Sequence, residues 1–83
     1  MLTEYTEVDK IEVVGTHRFI QVRTATVIMR DGVEVSRAFH RHVVTPGQDV
    51  TSEDEAVQAI AQALHTPEVV AAYRESLEVE DVG

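Results

Sequence analysis

The residues best suited to chemistry in this 83-residue sequence are His40 and His42, separated by Arg41. Residues i and i+2 of a β-strand project from one face, so two imidazoles at this spacing could share a metal ion. A site would need further ligands, and His17, His65, Asp49 and Glu34 are the residues that could supply one. Two histidines are not a ligand set, and Arg41 with its basic neighbours repels a cation. The competing reading is a polar cross-strand network with Arg23 opposite His40 and Gln21 opposite His42. That reading is preferred, and no metal ligand and no cofactor are assigned.

Covalent catalysis has little to work with. Cysteine is absent, and serine occurs only at 36, 52 and 76. Ser52 suits a helix cap and Ser76 lies near the chain end, so no Ser/His/Asp arrangement emerges. No carboxylate pair is framed by apolar residues that would raise a pKa. Glycines 15, 32, 47 and 83 are isolated, so no phosphate-cradling loop is present. The expectation is a protein that is not an enzyme and has no catalytic residues. Arg18, Arg23, Arg37 and Arg41 could hold an anionic partner, but intramolecular ion pairs with packed stems are the simpler reading. His65 precedes Thr66-Pro67, where a cation favours the end of a preceding helix.

The element that must position these groups is the stretch Phe19–Val44, which reads as a long β-hairpin turning at Asp31-Gly32. Asp-Gly between β-rich runs predicts a two-residue type I′ turn, in which both central residues take positive φ. Arg30 then faces Val33, Ile28 faces Val35, Thr24 faces Phe39 and Ile20 faces Val43. In that register the core face collects Ile20, Val22, Ile28, Val35, Phe39 and Val43, with Arg37 and Arg41 also falling on it. The opposite face carries Arg23, Ala25, Val27, Ala38, His40 and His42, and these six are the candidate interaction residues. Ala25, Val27, Ala38 and Val44 leave an apolar strip there that suits docking in an assembly. A slip of one residue would exchange the faces.

Val8–Val14 reads as a shorter strand with Ile11 and Val13 on one face, and residues 1–7 are expected to be flexible. Pro46-Gly47 breaks the sheet. Ser52-x-x-Glu55 fits a capping box opening a helix with Val57, Ile60, Ala61 and Leu64 on one stripe. Thr66 caps a second helix with Pro67 at its first position and Val69, Val70, Tyr73 and Leu77 on its stripe. Residues 79–83 are expected to be flexible. The predicted fold is α+β, a single domain over 1–83: an antiparallel meander of about three strands packed by two C-terminal helices.

A chain of this length buries only about 60–65% of its unfolded surface, and without cysteine it has no covalent support, so oligomerisation is a natural way to bury more. The net charge of −8 disfavours nucleic acid as a partner. Residues 15–44 hold five arginines against two acids, whereas the remainder holds two bases against thirteen acids. Either the segments attract one another between copies, or the acids neutralise the arginines within one molecule. No apolar run approaches the roughly 20 residues that span a bilayer, and the polar start MLTEYTEVDK lacks a signal-peptide pattern. The expectation is a soluble protein without a secretion signal and without membrane association.

The segments IEVV, IQVRTATVIMRDGVEVSRAFHRHVVTPGQD and VQAIAQALHTPEVVAAY resemble a group of small proteins of tailed bacteriophages, encoded among virion structural genes near tail or tail-fibre genes. The resemblance spans about residues 11–73, and its most specific parts are Phe39-His40-Arg41-His42, Pro46-Gly47 and His65-Thr66-Pro67. It implies a phage origin and a virion role, and it transfers no catalytic residue. The expected function is a non-enzymatic virion structural subunit of tail or baseplate. It would be synthesised in the host cytoplasm and form a homo-oligomer that also contacts other virion proteins. The alternatives are an intracellular phage protein that binds or inhibits a host factor, and a His-dependent metal-binding module.

Overall fold

A computed structural model describes residues 1–82, and side chains over 1–77; the expectation of a flexible end at 79–83 therefore lies outside the fully described residues. Three antiparallel strands, β1 (Leu2–Val14), β2 (Phe19–Arg30) and β3 (Val33–Val44), form one sheet in the order β1-β2-β3. Two helices follow, α1 (Glu55–Leu64) and α2 (Pro67–Val82). The architecture is α+β, as the sequence predicts.

The hairpin turn follows from its residues. Asp31 has φ 50° and Gly32 φ 83°, the conformation a two-residue turn needs to match the strand twist. Residues 1–7 depart from expectation: Leu2 to Glu7 form the first half of β1, paired from Leu2 opposite Arg30 to Glu7 opposite Ala25. Pairing satisfies the outer backbone groups of β2, which a loose segment would leave to solvent. The Met1 carbonyl also accepts a hydrogen bond from the Asp31 amide, while its amino group meets the Asp31 carboxylate. The N-terminus is thereby tied to the hairpin turn.

Two β-bulges decide the faces. In β3, Met29 faces Glu34 but Ile28 faces Ser36, so Val35 is an extra residue. In β1, Val8 faces Thr24 but Lys10 faces Arg23, leaving Asp9 as the extra residue. The first bulge overturns the predicted register beyond the turn: Thr24 faces His40, Val22 faces His42 and Ile20 faces Val44. One face, here called A, therefore carries Ile20, Val22, His40, His42 and Val44. The other, face B, carries Arg23, Ala25, Val27, Arg37, Phe39 and Arg41. The unbulged register would put Arg37 and Arg41 among core side chains, where unpaired charge is costly. The bulge moves both to the face that holds the acids of β1.

The core lies at the open end of face A. Ile20, Val22, Val44, Val57 and Ala61 are buried together, with Val8, Ile11, Val50 and Ile60 packed around them. Val35, Phe39 and Val43, predicted as core, are each about half exposed. The stripe of α1 supplies Val57 and Ala61 as expected. Its cap differs: Asp54, not Ser52, accepts from the Ala56 amide at 3.0 Å, and the helix begins at Glu55. Val50–Glu53 forms a turn, with the Glu53 amide bonded to the Val50 carbonyl, so Ser52 lies ahead of the helix. Thr66 does cap α2, accepting from the Val69 amide at 3.3 Å.

The bulged register makes opposite forecasts for neighbouring residues. Ile20→Ala should cost the dissociated single chain about 2–5 kcal/mol, as for other buried truncations, whereas Val43→Ala should change the stability of that single chain by no more than about 0.5 kcal/mol. Denaturant midpoints of the two variants check this, and equal losses would restore the unbulged pairing.

Candidate functional site

The six candidate interaction residues do not share one surface. Arg23, Ala25 and Val27 are on face B, and Ala38, His40 and His42 are on face A. The cause is the single extra residue at Val35, which inverts β3 relative to β2 from Ser36 onward.

On face A, the His40 and His42 rings stack with centroids 6.4 Å apart. They do not meet Arg23 and Gln21 across the strand; their register partners are Thr24 and Val22. His42 Nε2 lies 2.7 Å from Glu53 Oε1. A carboxylate only accepts, so this nitrogen carries the proton and donates. The contact ties β3 to the turn that leads into α1. Among the described residues, no group of three or more His, Asp or Glu side chains is placed to hold a metal ion. The anticipated third ligands lie elsewhere in the fold. Glu34 is bonded to Arg37, Asp49 accepts from the Thr51 amide, and His17 meets Phe19 and Tyr73 edge-on.

His65 is the C-cap of α1, its amide bonded to the Ala61 carbonyl at 2.8 Å. Its ring does more than sit at the helix end. Nε2 donates to the Arg18 carbonyl at 2.6 Å, fixing the helix junction against the β1–β2 turn. Arg18 has φ 55° there, a left-handed conformation rare for a residue with a Cβ. Tyr73 reinforces the same corner, with its ring 5.5 Å from that of Phe19 and nearly perpendicular to it.

Face B carries the densest polar constellation. Asp9, displaced by its bulge, accepts two hydrogen bonds from Arg23, both at 2.9 Å. Arg37 donates to both oxygens of Glu34, at 3.1 and 2.8 Å, and to Glu7 at 3.3 Å. Because Glu7 is on β1 and Arg37 on β3, this guanidinium crosses β2 above the row that carries Ala25 and Val27. Both of those residues are fully buried, although α1 packs on the opposite face. Arg stems and flanking rings shield them instead: Tyr5 and Arg37 flank Val27, and Glu7 and Phe39 flank Ala25. Phe39 also lies under the Arg23 guanidinium, 4.3 Å from ring centre to Cζ, where the ring face attracts the cation.

Toward the open end of the sheet, Lys10, Gln21, Arg23 and Arg41 of this face line a shallow cleft of about 340 Å³ with Glu12 and Val43, and Val22 and His42 border it as well. Lys10 pairs with Glu12 at 3.0 Å. Among the described residues Arg41 has no acidic partner. The sequence already offered intramolecular neutralisation of the hairpin arginines by the acids of the chain. The acids that do it are Glu7 and Asp9 of β1 and Glu34 of the hairpin itself. Their alternation in β1, Glu7-x-Asp9, was the available signal; it was hidden because β1 was expected to start at Val8.

This network makes stability pH-dependent. Hydrogen bonds from Arg23 hold the Asp9 carboxyl below the usual range, those from Arg37 do the same for Glu34, and the Thr51 amide lowers Asp49. For groups whose folded pKa is depressed, the stabilisation is complete above the unfolded value of about 4 and is lost as pH falls through the folded value. Asp9→Asn should therefore melt below the wild type at neutral pH, and the gap should narrow on acidification below about pH 4. Melting temperatures across pH check it; no gap at neutral pH would show that the Asp9–Arg23 pair contributes nothing, and a gap that persists at low pH would show that the loss does not come from the ionised carboxylate. No protein-family model, curated protein or solved structure matches this chain, so the functional reading starts from its own geometry.

Proposed function

We propose that this chain is a non-enzymatic structural subunit of a tailed-phage virion, in the tail or baseplate, which assembles through its sheet edges and its hairpin. The observation that carries the proposal is the mismatch between sheet and helices. The strands are 12–13 residues long, yet the core residues that meet α1 are confined to the open end. The radius of gyration is 16.8 Å, against about 12 Å for a compact chain of this length. Beyond the helices the sheet projects as a three-stranded ribbon with Leu2, Val33 and Val35 more than half exposed.

Such a ribbon is uneconomical for a monomer that acts alone. Its outer strands β1 and β3 present unpaired backbone groups along their free edges, a template for pairing with another chain. Apolar residues at the tip add surface that a neighbour can bury. The resemblance to tailed-phage proteins of the tail-gene region supports the same reading, since particles of that kind are built from repeated small subunits.

Mass spectrometry of purified virions should detect the chain at a fixed ratio to the other structural proteins. Val33→Asp/Val35→Asp should lower its incorporation while leaving its melting temperature within about 2–4 °C, because both side chains are exposed. Absence from intact particles would end the proposal.

A further inference from the structure

We infer that face B is the docking surface for a second copy of this chain, giving a two-fold dimer in which two sheets pack face to face. The inference rests on the assembly reading above and specifies its partner and contact.

Charge makes the first argument. The molecule carries a net charge of −8, so most approaches of one copy to another are repulsive. Face B is the exception. The four acids described on it (Glu7, Asp9, Glu12, Glu34) are matched by four bases (Lys10, Arg23, Arg37, Arg41). Seven of these eight groups already have ion-pair partners within the chain, which lowers the penalty for removing them from water. A neutral face on which, among the described residues, only Arg41 lacks an ion-pair partner can meet its copy with one cation per copy, rather than four, still to be satisfied.

Apolar content and area make the second argument. Tyr5, Phe39 and Val43 are each roughly half exposed on this face and are distributed over both outer strands. Three strands about 4.8 Å apart and about 40 Å long give a footprint near 600 Å² per copy. Two such footprints reach about 1,200 Å², the lower bound of stable interfaces. A two-fold axis in the plane between the sheets makes the contact self-complementary. The α1 side of each sheet then faces outward, so the order is helix, sheet, sheet, helix, and both faces of each sheet gain a covering layer. A purely acidic partner would need the cations of this face, but all except Arg41 are already engaged.

Sedimentation equilibrium of the full chain over a concentration series tests the inference, with the wild type expected to be a dimer. Phe39→Glu/Val43→Glu should raise the dimer dissociation constant by about 30-fold or more, as at interface hot spots, with an unchanged circular dichroism spectrum. Val33→Asp/Val35→Asp at the tip should leave the dimer intact. Isotope-filtered nuclear Overhauser spectra on mixed-label wild type provide a readout that does not depend on variant folding; contacts between copies should involve Tyr5, Phe39 and Val43. A monomeric wild type, a dimer that survives the face-B variant with its constant unchanged, or contacts between copies confined to strand edges or face A would each overturn the inference. Particle mass spectrometry separates this from the assembly reading: a chain present in virions but monomeric in solution refutes the face-B dimer alone.

Discussion

One extra residue in β3, at Val35, sets which side chains the sheet presents on each face, and the rest of the molecule depends on that setting. Side chains alternate with a period of two, so a single insertion exchanges everything beyond it. With the bulge, Val44 joins Ile20 beneath α1, His42 reaches Glu53, and Arg37 reaches Glu7 and Glu34. Without it, two arginines would lie among core side chains while Val44 faced away. The second bulge, at Asp9, acts in the same direction. It brings Ile11 and Val13 opposite Val22 and Ile20, and frees a carboxylate for Arg23. Both outer strands are thus corrected to the same apolar patch on β2.

That patch is small. Among the described residues, five buried and a few half-buried ones form the core between sheet and α1, and the remaining length of sheet is held by other means. On face B the substitutes are arginine stems, two aromatic rings and a chain of ion pairs linking β1 and β3 across β2. The corner opposite the hairpin turn is closed by His65 on the Arg18 carbonyl and Tyr73 against Phe19. The Asp31-Gly32 turn is tied to Met1 at the other end. The fold is therefore pinned at both ends and packed by a helix at one.

A sheet with a helix layer over part of one face, and on the other a helix contact, among the described residues, only at the Phe19 end where Tyr73 of α2 packs, is an incomplete layered structure by the ordinary standards of domain architecture. Face B already has matched charge and partial apolar cover, and the ribbon tip has exposed aliphatic residues on open edges. These two regions differ in kind. Face B suits a copy of the same chain, whereas the open edges suit strand addition by any neighbour with free backbone groups. A chain with both features has separate surfaces for the proposed dimer and the proposed array.

The elements themselves were legible in the sequence. Asp31-Gly32 specifies its turn through local backbone preference, Thr66-Pro67 specifies a helix start, and the spacing of Val57, Ile60, Ala61 and Leu64 specifies the face of α1. These are short-range effects, acting within a few residues. The candidate site was legible only in part, because Arg23, Ala25 and Val27 on β2 and His40 and His42 on β3 were identified but assigned to a common face. Local sequence around Val35 carries no glycine or other bulge marker. What selects the bulge is remote: Val44 has to meet Val57 some dozen residues on, and Arg37 has to meet Glu7 thirty residues earlier. Turn, helices and strand order were thus determined by the sequence alone, through local conformational preference. Strand register, and with it the composition of each face, was decided by the tertiary structure, because burying valine and pairing arginine are satisfied together in only one register.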